Sequence, residues 1–469
     1  MKRKTSAATD SFIDEQLIHD LLASAKEAPV DLARQIISKG KDAKGLTPFE
    51  TAVLLQTEDE AVLHSLYQAA HEVKERIYGK RLVFFAPLYL SNYCLNNCVY
   101  CGYHRDNKEM ARRRLEMEHI VKEVIALEAM GHKRLALEAG EDPKHTPIEY
   151  IVEAMQTIYG VKEQSGSIRR CNVNIAATTV EDYRKLKEAG IGTYILFQET
   201  YHRPTYEKMH PSGPKKDYDY HLTAMDRAME GGIDDVGLGV LFGLYDFKFE
   251  VLGLLLHSLH LEERFGVGCH TISVPRLRPA TGVNLEAFPH LVSDKNFKKL
   301  VAIIRLAVPY TGMLLSTRET AESRDELIEI GISQLSAGSC TGVGGYHKDI
   351  ERPPTNQFQI EDHRSTDEML RSVCLAGFIP SFCTACYRQG RTGDRFMSLA
   401  KTGEIQNICQ PNAILTFKEF LLDYASTKTK EVGEQTINKH LGLIPNQKTR
   451  QETENRLKRL EQGERDLYF

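Results

Sequence analysis

The sequence lacks the features of a membrane protein or of a nucleic-acid binder. No apolar run in its 469 residues is long enough to span a bilayer. Its 60 Lys and Arg residues are spread along a chain whose formal net charge is −4, and they form no basic cluster of the kind that contacts nucleic acid. These absences favour an enzyme that acts on small molecules away from membranes.

The first residues also lack a secretory signal. Residues 1–5 are basic, but polar residues follow where a signal peptide would have an apolar stretch of about 7 to 15 residues. The ten cysteines are therefore expected to be thiols and metal ligands rather than disulfides. We expect a cytoplasmic protein from an anaerobic organism.

Three cysteines are spaced as in an iron–sulfur site with an open coordination position. Cys94, Cys98 and Cys101 form a C-x3-C-x2-C motif. Most electron-transfer clusters are held by four thiolates, so three leave one iron free. The motif resembles that of the radical SAM superfamily, in which S-adenosylmethionine (SAM) occupies the open iron of a [4Fe-4S] cluster. The alternative is a helix that buries three thiols, and the neighbouring asparagines and glycine disfavour it.

From residue 82 onwards, short apolar runs alternate with amphipathic helices, a pattern typical of parallel βα units. Eight such runs predict an α/β fold, a complete (βα)8 barrel of the TIM type. We expect a helical extension at 1–80, the radical SAM barrel at 81–369 and a mainly helical, cluster-binding C-terminal domain at 370–469. The predicted strands are 82–88, 134–138, 172–176, 193–198, 235–241, 270–276, 312–317 and 334–337.

A second group of three cysteines lies beyond the predicted barrel. Cys383, Cys386 and Cys409 form a C-x2-C-x22-C pattern. A structural zinc site usually has a fourth Cys or His ligand, and none stands at zinc-finger spacing. A second open iron–sulfur cluster is therefore favoured, with structural zinc as the alternative.

Together these motifs resemble the HydG family of [FeFe]-hydrogenase maturases, which are radical SAM tyrosine lyases. The resemblance covers residues 80–469 and rests on both cysteine motifs, on Phe-Gln-Glu-Thr-Tyr at 197–201, on Leu-Arg-Pro at 277–279 and on the segment 383–393. The related 2-iminoacetate synthase ThiH shares the barrel and the first motif but lacks the second cysteine set. That set therefore favours HydG.

The resemblance implies a two-stage reaction. A radical derived from SAM abstracts hydrogen from the amino group of L-tyrosine, and the Cα–Cβ bond breaks to give p-cresol and dehydroglycine. An auxiliary [4Fe-4S] cluster, which can carry a fifth labile iron, then converts dehydroglycine to carbon monoxide and cyanide for the hydrogenase active site. The implied partners are tyrosine, other maturation proteins and an external electron donor. Two alternatives stay open: a 2-iminoacetate synthase of thiazole biosynthesis, and a non-catalytic iron–sulfur scaffold or carrier.

The resemblance also suggests residues that bind the cofactor. Tyr100 resembles the aromatic residue beside the adenine of SAM, while Gly140 and Glu141 resemble the turn that holds its amino group. Glu199, after strand 4, and Gly239, in strand 5, are further candidates at the cofactor face. For Gly239 the alternative is a small residue that eases packing inside the barrel.

Strand polarity assigns the remaining candidates to one mouth of the barrel, because the catalytic face lies at the C-terminal ends of the strands. Arg276 and Arg278 follow strand 6, and Ser316, Thr317 and Arg318 end strand 7. Arg318 is the favoured partner of the tyrosine carboxylate, since a guanidinium binds that group in a bidentate way. An ion pair with a nearby acid is the alternative.

His270 begins strand 6 and therefore lies at the opposite end, roughly 20 Å from the upper mouth at about 3.3 Å per residue. It cannot ligate the first cluster. The resemblance makes it a ligand of the labile iron, and imidazole suits iron. A hydrogen-bonded role in the core is the alternative.

Overall fold

Four helices precede the first strand, and local sequence explains where they begin. The computed structural model describes residues 11–162, 166–347, 356–393, 395, 396, 399 and 405–469. Thr47 starts the third helix in a capping box with Glu50, as the sequence predicts. These helices pack on the outer helices of the barrel that follows. They are α1 (Glu15–Lys26), α2 (Val30–Gly40), α3 (Pro48–Gln56) and α4 (Glu60–Tyr78).

Eight parallel strands form a closed barrel, which confirms the predicted (βα)8 fold. They are β1 (Arg81–Ser91), β2 (Arg134–Ala139), β3 (Arg170–Asn174), β4 (Tyr194–Ile195), β5 (Val236–Gly239), β6 (Thr271–Ser273), β7 (Gly312–Leu315) and β8 (Gln334–Ser336). Each strand pairs with the next in chain order, β8 pairs with β1, and the pairing of β1 with β2 closes the ring. β4 is shorter than predicted, because only two of its residues pair regularly.

Helices surround the barrel as the alternation predicts. Thr179 caps the helix after β3. Three short helices lie between β4 and β5, and the third packs on outer helices of the barrel. In the described part of the chain, no helix is long and apolar enough to cross a membrane. The helices are α5 (Met117–Ala129), α6 (Ile148–Gly160), α7 (Val180–Glu188), α8 (Arg203–Met209), α9 (Tyr218–Leu222), α10 (Ala224–Glu230), α11 (Phe247–Phe265), α12 (Asp294–Ala307), α13 (Ala321–Ile330) and α14 (Thr366–Leu375).

A ninth strand, β9 (Ile379–Ser381), is absent from the sequence prediction. It pairs in parallel with the first residues of β1, from Arg81 to Val83, below the segment of β1 that pairs with β2. A three-residue strand that contains a proline offers no periodic pattern to detect. Its docking brings Cys383 to the lower mouth. The last helices are α15 (Ala385–Arg388), α16 (Ile405–Asp423), α17 (Thr427–Gly442) and α18 (Gln447–Glu461).

One buried arginine ties together three segments at the lower mouth. Arg305, on α12, is fully buried and donates to the carbonyl oxygens of Pro309, Thr311 and Gly331 at 2.6 to 3.1 Å. Thr311 precedes β7, and Gly331 lies between α13 and β8. Arg305 therefore satisfies carbonyl groups that no water can reach and sets where these two strands start.

We expect Arg305→Met to destabilise the fold by about 3 kcal/mol, because it leaves three buried carbonyl groups without their charged donor. The check is the urea midpoint of unfolding. Arg34→Met is the control: Arg34 pairs with Asp31 on the exposed face of α2, and its loss should change stability by less than about 0.5 kcal/mol. Equal midpoints for the two variants would contradict the assigned role of Arg305.

Candidate active site

Two cavities occupy the two ends of the barrel, which we call the upper and the lower cavity. The upper cavity is lined by residues near the C-terminal ends of the strands, among them Phe85, Ala136, Ser273, Leu314 and Ser336. This is the face on which barrel enzymes carry their active sites. The lower cavity is lined by Val83, Arg134, Thr271, Gly312 and Gln334, each two residues earlier on the same five strands.

This offset of two residues means that a single layer of side chains separates the cavities. Residues i and i+2 of a strand point to the same side, here the barrel interior. Two residues of strand span roughly 7 Å. Phe85, Ala136 and Leu314 form a small buried apolar cluster of their own at this level. The two cavities are therefore near neighbours across one apolar layer.

The first cysteine motif lies in the loop after β1, as predicted, and Cys94, Cys98 and Cys101 all line the upper cavity. Burial raises the pKa of each thiol, to about 11 for Cys101, while the charge of Lys215 acts in the opposite direction. Thiols in such a setting do not ionise freely at neutral pH. They need a bound cation, so the donor set suits a metal better than a free thiolate.

The chemistry of this donor set fits an iron–sulfur cluster. Among the residues described, no three His, Cys, Asp or Glu side chains converge closely enough to hold a single metal ion. The ligands of a cluster bind separate irons, so they surround it instead of meeting at one point. Three soft thiolates without a nearby fourth ligand match a cluster with one open iron.

A tight turn after β2 fixes the position of the cysteine loop. Gly140 packs so closely that a Cβ atom there would lie 2.3 Å from the Tyr93 carbonyl oxygen and 3.1 Å from the Cys94 Cβ. Only glycine allows this approach. Glu141 accepts hydrogen bonds from the Leu95 amide through its backbone, at 2.8 Å, and from the Asn96 side chain, at 2.6 Å. The turn thus lies directly against the loop, and both predicted residues line the cavity.

Tyr100 also lines the upper cavity, and its hydroxyl lies 2.8 Å from His210 Nε2. Beside it, Lys215 Nζ pairs with Glu199 Oε1 at 2.7 Å. The backbone of Glu199 has a φ of 69°, in the left-handed region that a non-glycine residue rarely adopts. This strained backbone directs the side chain of Glu199, a predicted candidate, toward Lys215.

Lys215 is a site residue that the sequence analysis missed. It follows a Gly-Pro turn and precedes a second lysine, a pattern typical of an exposed loop. In the structure its amide donates to Asn96 Oδ1 at 2.9 Å, so the turn packs on the cysteine loop and carries the side chain into the cavity. No local signal distinguishes this lysine from its exposed neighbour.

The residues after β7 face the upper cavity, as expected. Ser316, Thr317 and Arg318 line it, and the Arg318 guanidinium lies over the ring of Phe358. Burial lowers the pKa of Arg318, and the charges of Tyr89 and Glu199 act against this. The site therefore holds a buried cation that faces the cavity.

Glu138, also missed, places a carboxyl group in the same cavity. Burial raises its pKa to about 8, against the opposing effects of a hydrogen bond with Asn174 and the charge of Arg318. Its signal in the sequence is a single acid that ends an apolar strand. At neutral pH this carboxyl is mostly protonated.

Two predictions about the upper mouth are wrong. Arg276 and Arg278 do not line the cavity; both donate to the buried carboxylate of Glu319, with 2.6 Å between Arg278 Nη2 and its Oε2. β6 ends at Ser273, and the backbone of Arg276 still bridges Phe242 beyond it, but Glu319 binds both arginine side chains away from the cavity. At Gly239 a Cβ atom would lie 2.3 Å from the ring of Phe197, so the packing alternative holds there.

The lower cavity brings together the second cysteine motif and His270, as predicted from strand polarity. Cys383, Cys386, Cys409 and His270 all line it. His270 Nε2 lies 3.4 Å from the Tyr387 hydroxyl and 4.0 Å from an Asp235 carboxylate oxygen. Burial lowers the pKa of His270, so the ring is neutral and can act as a metal ligand.

The three lower thiols are close enough to influence each other. Cys386 and Cys409 share a hydrogen bond, which raises the pKa of Cys386 and lowers that of Cys409 to about 7. Burial raises the pKa of Cys383. As at the upper mouth, three soft donors without a fourth cysteine fit a cluster with an open iron.

Comparisons with known proteins agree with this geometry. Residues 88–254 match the radical SAM superfamily, and residues 273–379 match the biotin and thiamin synthesis associated domain. The chain is similar to the 2-iminoacetate synthase of Escherichia coli (strain K12), with 31% identity over 345 residues, 73% of this chain and 89% of the relative.

Two solved structures are similar over nearly the whole chain. One is a crystal structure of HydG, a maturase of the [FeFe]-hydrogenase, with 63% identity and a TM-score of 0.96; the match covers 98% of this chain and 100% of that chain. The other is the X-ray structure of the FeFe-hydrogenase maturase HydG from Carboxydothermus hydrogenoformans, with 40% identity and a TM-score of 0.83; it covers 94% of this chain and 97% of the other.

The close packing at Gly140 leads to a test of the upper site. We expect Gly140→Ala to push the turn away from the cysteine loop and to lower the iron and sulfide content of the upper site after reconstitution, while the lower site fills normally. Gly160→Ala is the control, because a Cβ atom there meets nothing within 4 Å. If Gly140→Ala binds as much iron as the control, the turn does not position the loop.

Proposed function

The chain belongs to the HydG family of radical SAM enzymes, and we propose that it cleaves L-tyrosine to p-cresol and dehydroglycine and converts the dehydroglycine to carbon monoxide and cyanide. These products serve assembly of the [FeFe]-hydrogenase active site, with other maturation proteins and an external electron donor as partners. The observation that carries the proposal is the pair of three-cysteine sites at the two mouths of one barrel, separated by one layer of side chains.

The upper site is assigned to the radical chemistry. Cys94, Cys98 and Cys101 would hold the [4Fe-4S] cluster, and Glu141 and Tyr100 would contact SAM. When bound, the cluster supplies the electron that cleaves SAM to a 5'-deoxyadenosyl radical. The chain itself orients the reactants and excludes water, which suits the burial of all three thiols.

Substrate binding is assigned to the residues that follow β7 and to the end of β2. Arg318 presents a guanidinium to the cavity, and a guanidinium pairs with a carboxylate through two parallel hydrogen bonds. Ser316 and Thr317 add hydroxyl groups beside it. Glu138, protonated at neutral pH, can donate a hydrogen bond to a substrate oxygen or nitrogen.

The lower site is assigned to the conversion of dehydroglycine. Cys383, Cys386 and Cys409 would hold an auxiliary [4Fe-4S] cluster, and His270 would bind a fifth, labile iron beside it. A fragment released in the upper cavity has to pass only the apolar layer of Phe85, Ala136 and Leu314 to reach it. Short transfer inside the protein protects a reactive imine from water.

Two alternative functions assign no role to one of the cavities. A 2-iminoacetate synthase needs only the upper site, although three cysteines and a histidine converge on the lower one. An iron–sulfur scaffold needs no cavity that holds a buried cation and a protonated acid. Incubating the reconstituted protein with SAM, dithionite and tyrosine distinguishes the three functions. If no p-cresol forms, the proposed lyase and the 2-iminoacetate synthase are both excluded. If p-cresol forms without cyanide, the 2-iminoacetate synthase is favoured.

We expect Arg318→Gln to raise the KM for tyrosine at least tenfold, since a charged hydrogen bond contributes about 1.5 to 3 kcal/mol. Tyramine, which lacks the carboxylate, should bind the variant and the parent protein alike. Formation of 5'-deoxyadenosine without substrate should not change. Arg184→Gln, which removes an exposed charge on α7, is the control. A KM for tyrosine equal to that of the control would remove Arg318 from substrate binding.

Replacing Cys386 and Cys409 together by alanine tests the division of labour between the two mouths. We expect p-cresol formation to continue at a rate within a few fold of the parent protein, while carbon monoxide and cyanide fall below detection. Gas-phase and colorimetric assays of the same reaction measure both. Loss of p-cresol in a variant that keeps the upper cluster would show that the two sites do not act separately.

A further inference from the structure

The lower cavity has an unbalanced positive charge. Arg81 and Arg134 line it, and they are only 5% and 6% exposed. No Asp or Glu occurs among its described lining residues. A third arginine nearby, Arg170, is paired with the buried carboxylate of Asp235 at 3.1 Å and contributes no net charge. Two buried guanidinium groups thus face the second cysteine motif without a counter-ion on the wall.

Both guanidinium groups have an N–H that lacks a partner in the described structure. Arg81 Nη1 and Arg134 Nε are inaccessible to solvent and make no hydrogen bond. The Nη2 of Arg134 donates to the Cys383 carbonyl oxygen at 2.9 Å, so this guanidinium lies directly beside the second cysteine motif. Burying a charged donor without an acceptor is strongly unfavourable, more so than burying a neutral one. An acceptor bound in the cavity would satisfy both of these N–H groups.

The charges of Arg81 and Arg134 act on the pKa values of the three thiols. Burial raises the pKa of Cys383, and the charges of Arg134 and Arg81 act against that rise. The hydrogen bond between Cys386 and Cys409 raises the pKa of Cys386 and lowers that of Cys409. The charge of Arg81 acts to lower the pKa of both thiols. Arg81 is thus within electrostatic reach of all three ligands.

The upper cavity differs in this respect. Its buried cation next to the cysteines, Lys215, is neutralised by Glu199 at 2.7 Å. Glu141 lines the same cavity, whereas Glu138 is mostly protonated there and Arg318 is a second buried cation. The two thiolate sets therefore have similar ligands, but cations and acids occur together around the upper set, whereas the described wall of the lower cavity carries arginines without acids.

We propose that Arg81 and Arg134 are positioning residues for the auxiliary cluster, which donate their unpaired N–H groups to its sulfur atoms and stabilise its more negative, reduced form. This rests on the proposed function, which places a cluster at the lower thiols. The potential of an iron–sulfur cluster is set by its net charge, its burial and the hydrogen bonds to its sulfurs. Two buried cations also favour anionic ligands, such as cyanide, at its open iron.

The test isolates the lower cluster by using the full chain with Cys94, Cys98 and Cys101 replaced by alanine. In this background, a redox titration followed by EPR measures the midpoint potential of the remaining cluster. Arg81→Gln and Arg134→Gln should each make reduction at least tenfold less favourable, a fall of about 59 mV for a one-electron couple. Arg81→Lys, which keeps the charge but not the planar N–H donors, should give a smaller fall.

Arg371→Gln is the matched control, because this arginine lies on α14 and pairs with Asp367 at the surface. Its potential should equal that of the background protein. Iron counts and thermal melts accompany each titration. Native melting with loss of iron in Arg81→Gln also supports the assignment, since thiolates alone would then not hold the cluster. If Arg81→Gln fails to fold, the midpoint potentials of Arg81→Lys and Arg134→Gln provide the test.

Two outcomes are distinguishable. Full iron content and an unchanged potential in both glutamine variants would overturn the role given to the arginines and leave the proposed function intact. No cluster in the background protein, with all three lower cysteines present, would sink the proposed function instead.

Discussion

The pairing of β1 is the constraint on which the rest of the structure depends. This strand has eleven residues, and it pairs with β8 along one edge and with β2 and β9 along the other. Its end leads into the first cysteine loop, while its first residues hold β9 and so bring the second cysteine motif to the opposite mouth. A parallel barrel gives every strand the same direction, so the two ends of β1 lie at different mouths. The separation of the two sites is thus a consequence of strand polarity and needs no separate domain arrangement.

The thin layer between the cavities follows from the same geometry. Inward residues alternate along each strand, and five strands contribute one residue to the lower cavity and, two positions later, one to the upper cavity. The layer between is apolar and contains Ala136, whose small side chain leaves room. A polar fragment that crosses it must give up hydrogen bonds on one side before it gains them on the other.

Much of this could be predicted from sequence because its signals are local. The cysteine spacings, the eight apolar runs and the capping of α3 and α7 depend on neighbours within a few residues, and the structure agrees with each. Strand polarity then placed His270 correctly, since it needs only the order of residues within one strand. By contrast, β9, Lys215 and Glu138 owe their roles to distant contacts. Arg276 and Arg278 were assigned from their position at the end of predicted strand 6, but their partner, Glu319, lies more than 40 residues away in the sequence.

In the proposed function, the contrast in charge between the mouths would let one chain use two similar clusters for different chemistry. At the upper mouth acids accompany the cations, since Glu199 pairs with Lys215 and Glu141 lines the same cavity as Arg318. Reducing a cluster there is then difficult, and a strongly reducing cluster is what the cleavage of a sulfonium requires. At the lower mouth no Asp or Glu is among the described residues that line the cavity with Arg81 and Arg134. A cluster there is easier to reduce and better able to hold anionic ligands. Each site has its own set of three thiolates, so the different tasks of the two sites must come from the surrounding charges. The charges at the lower mouth come from Arg81 and Arg134, the first residues of β1 and β2.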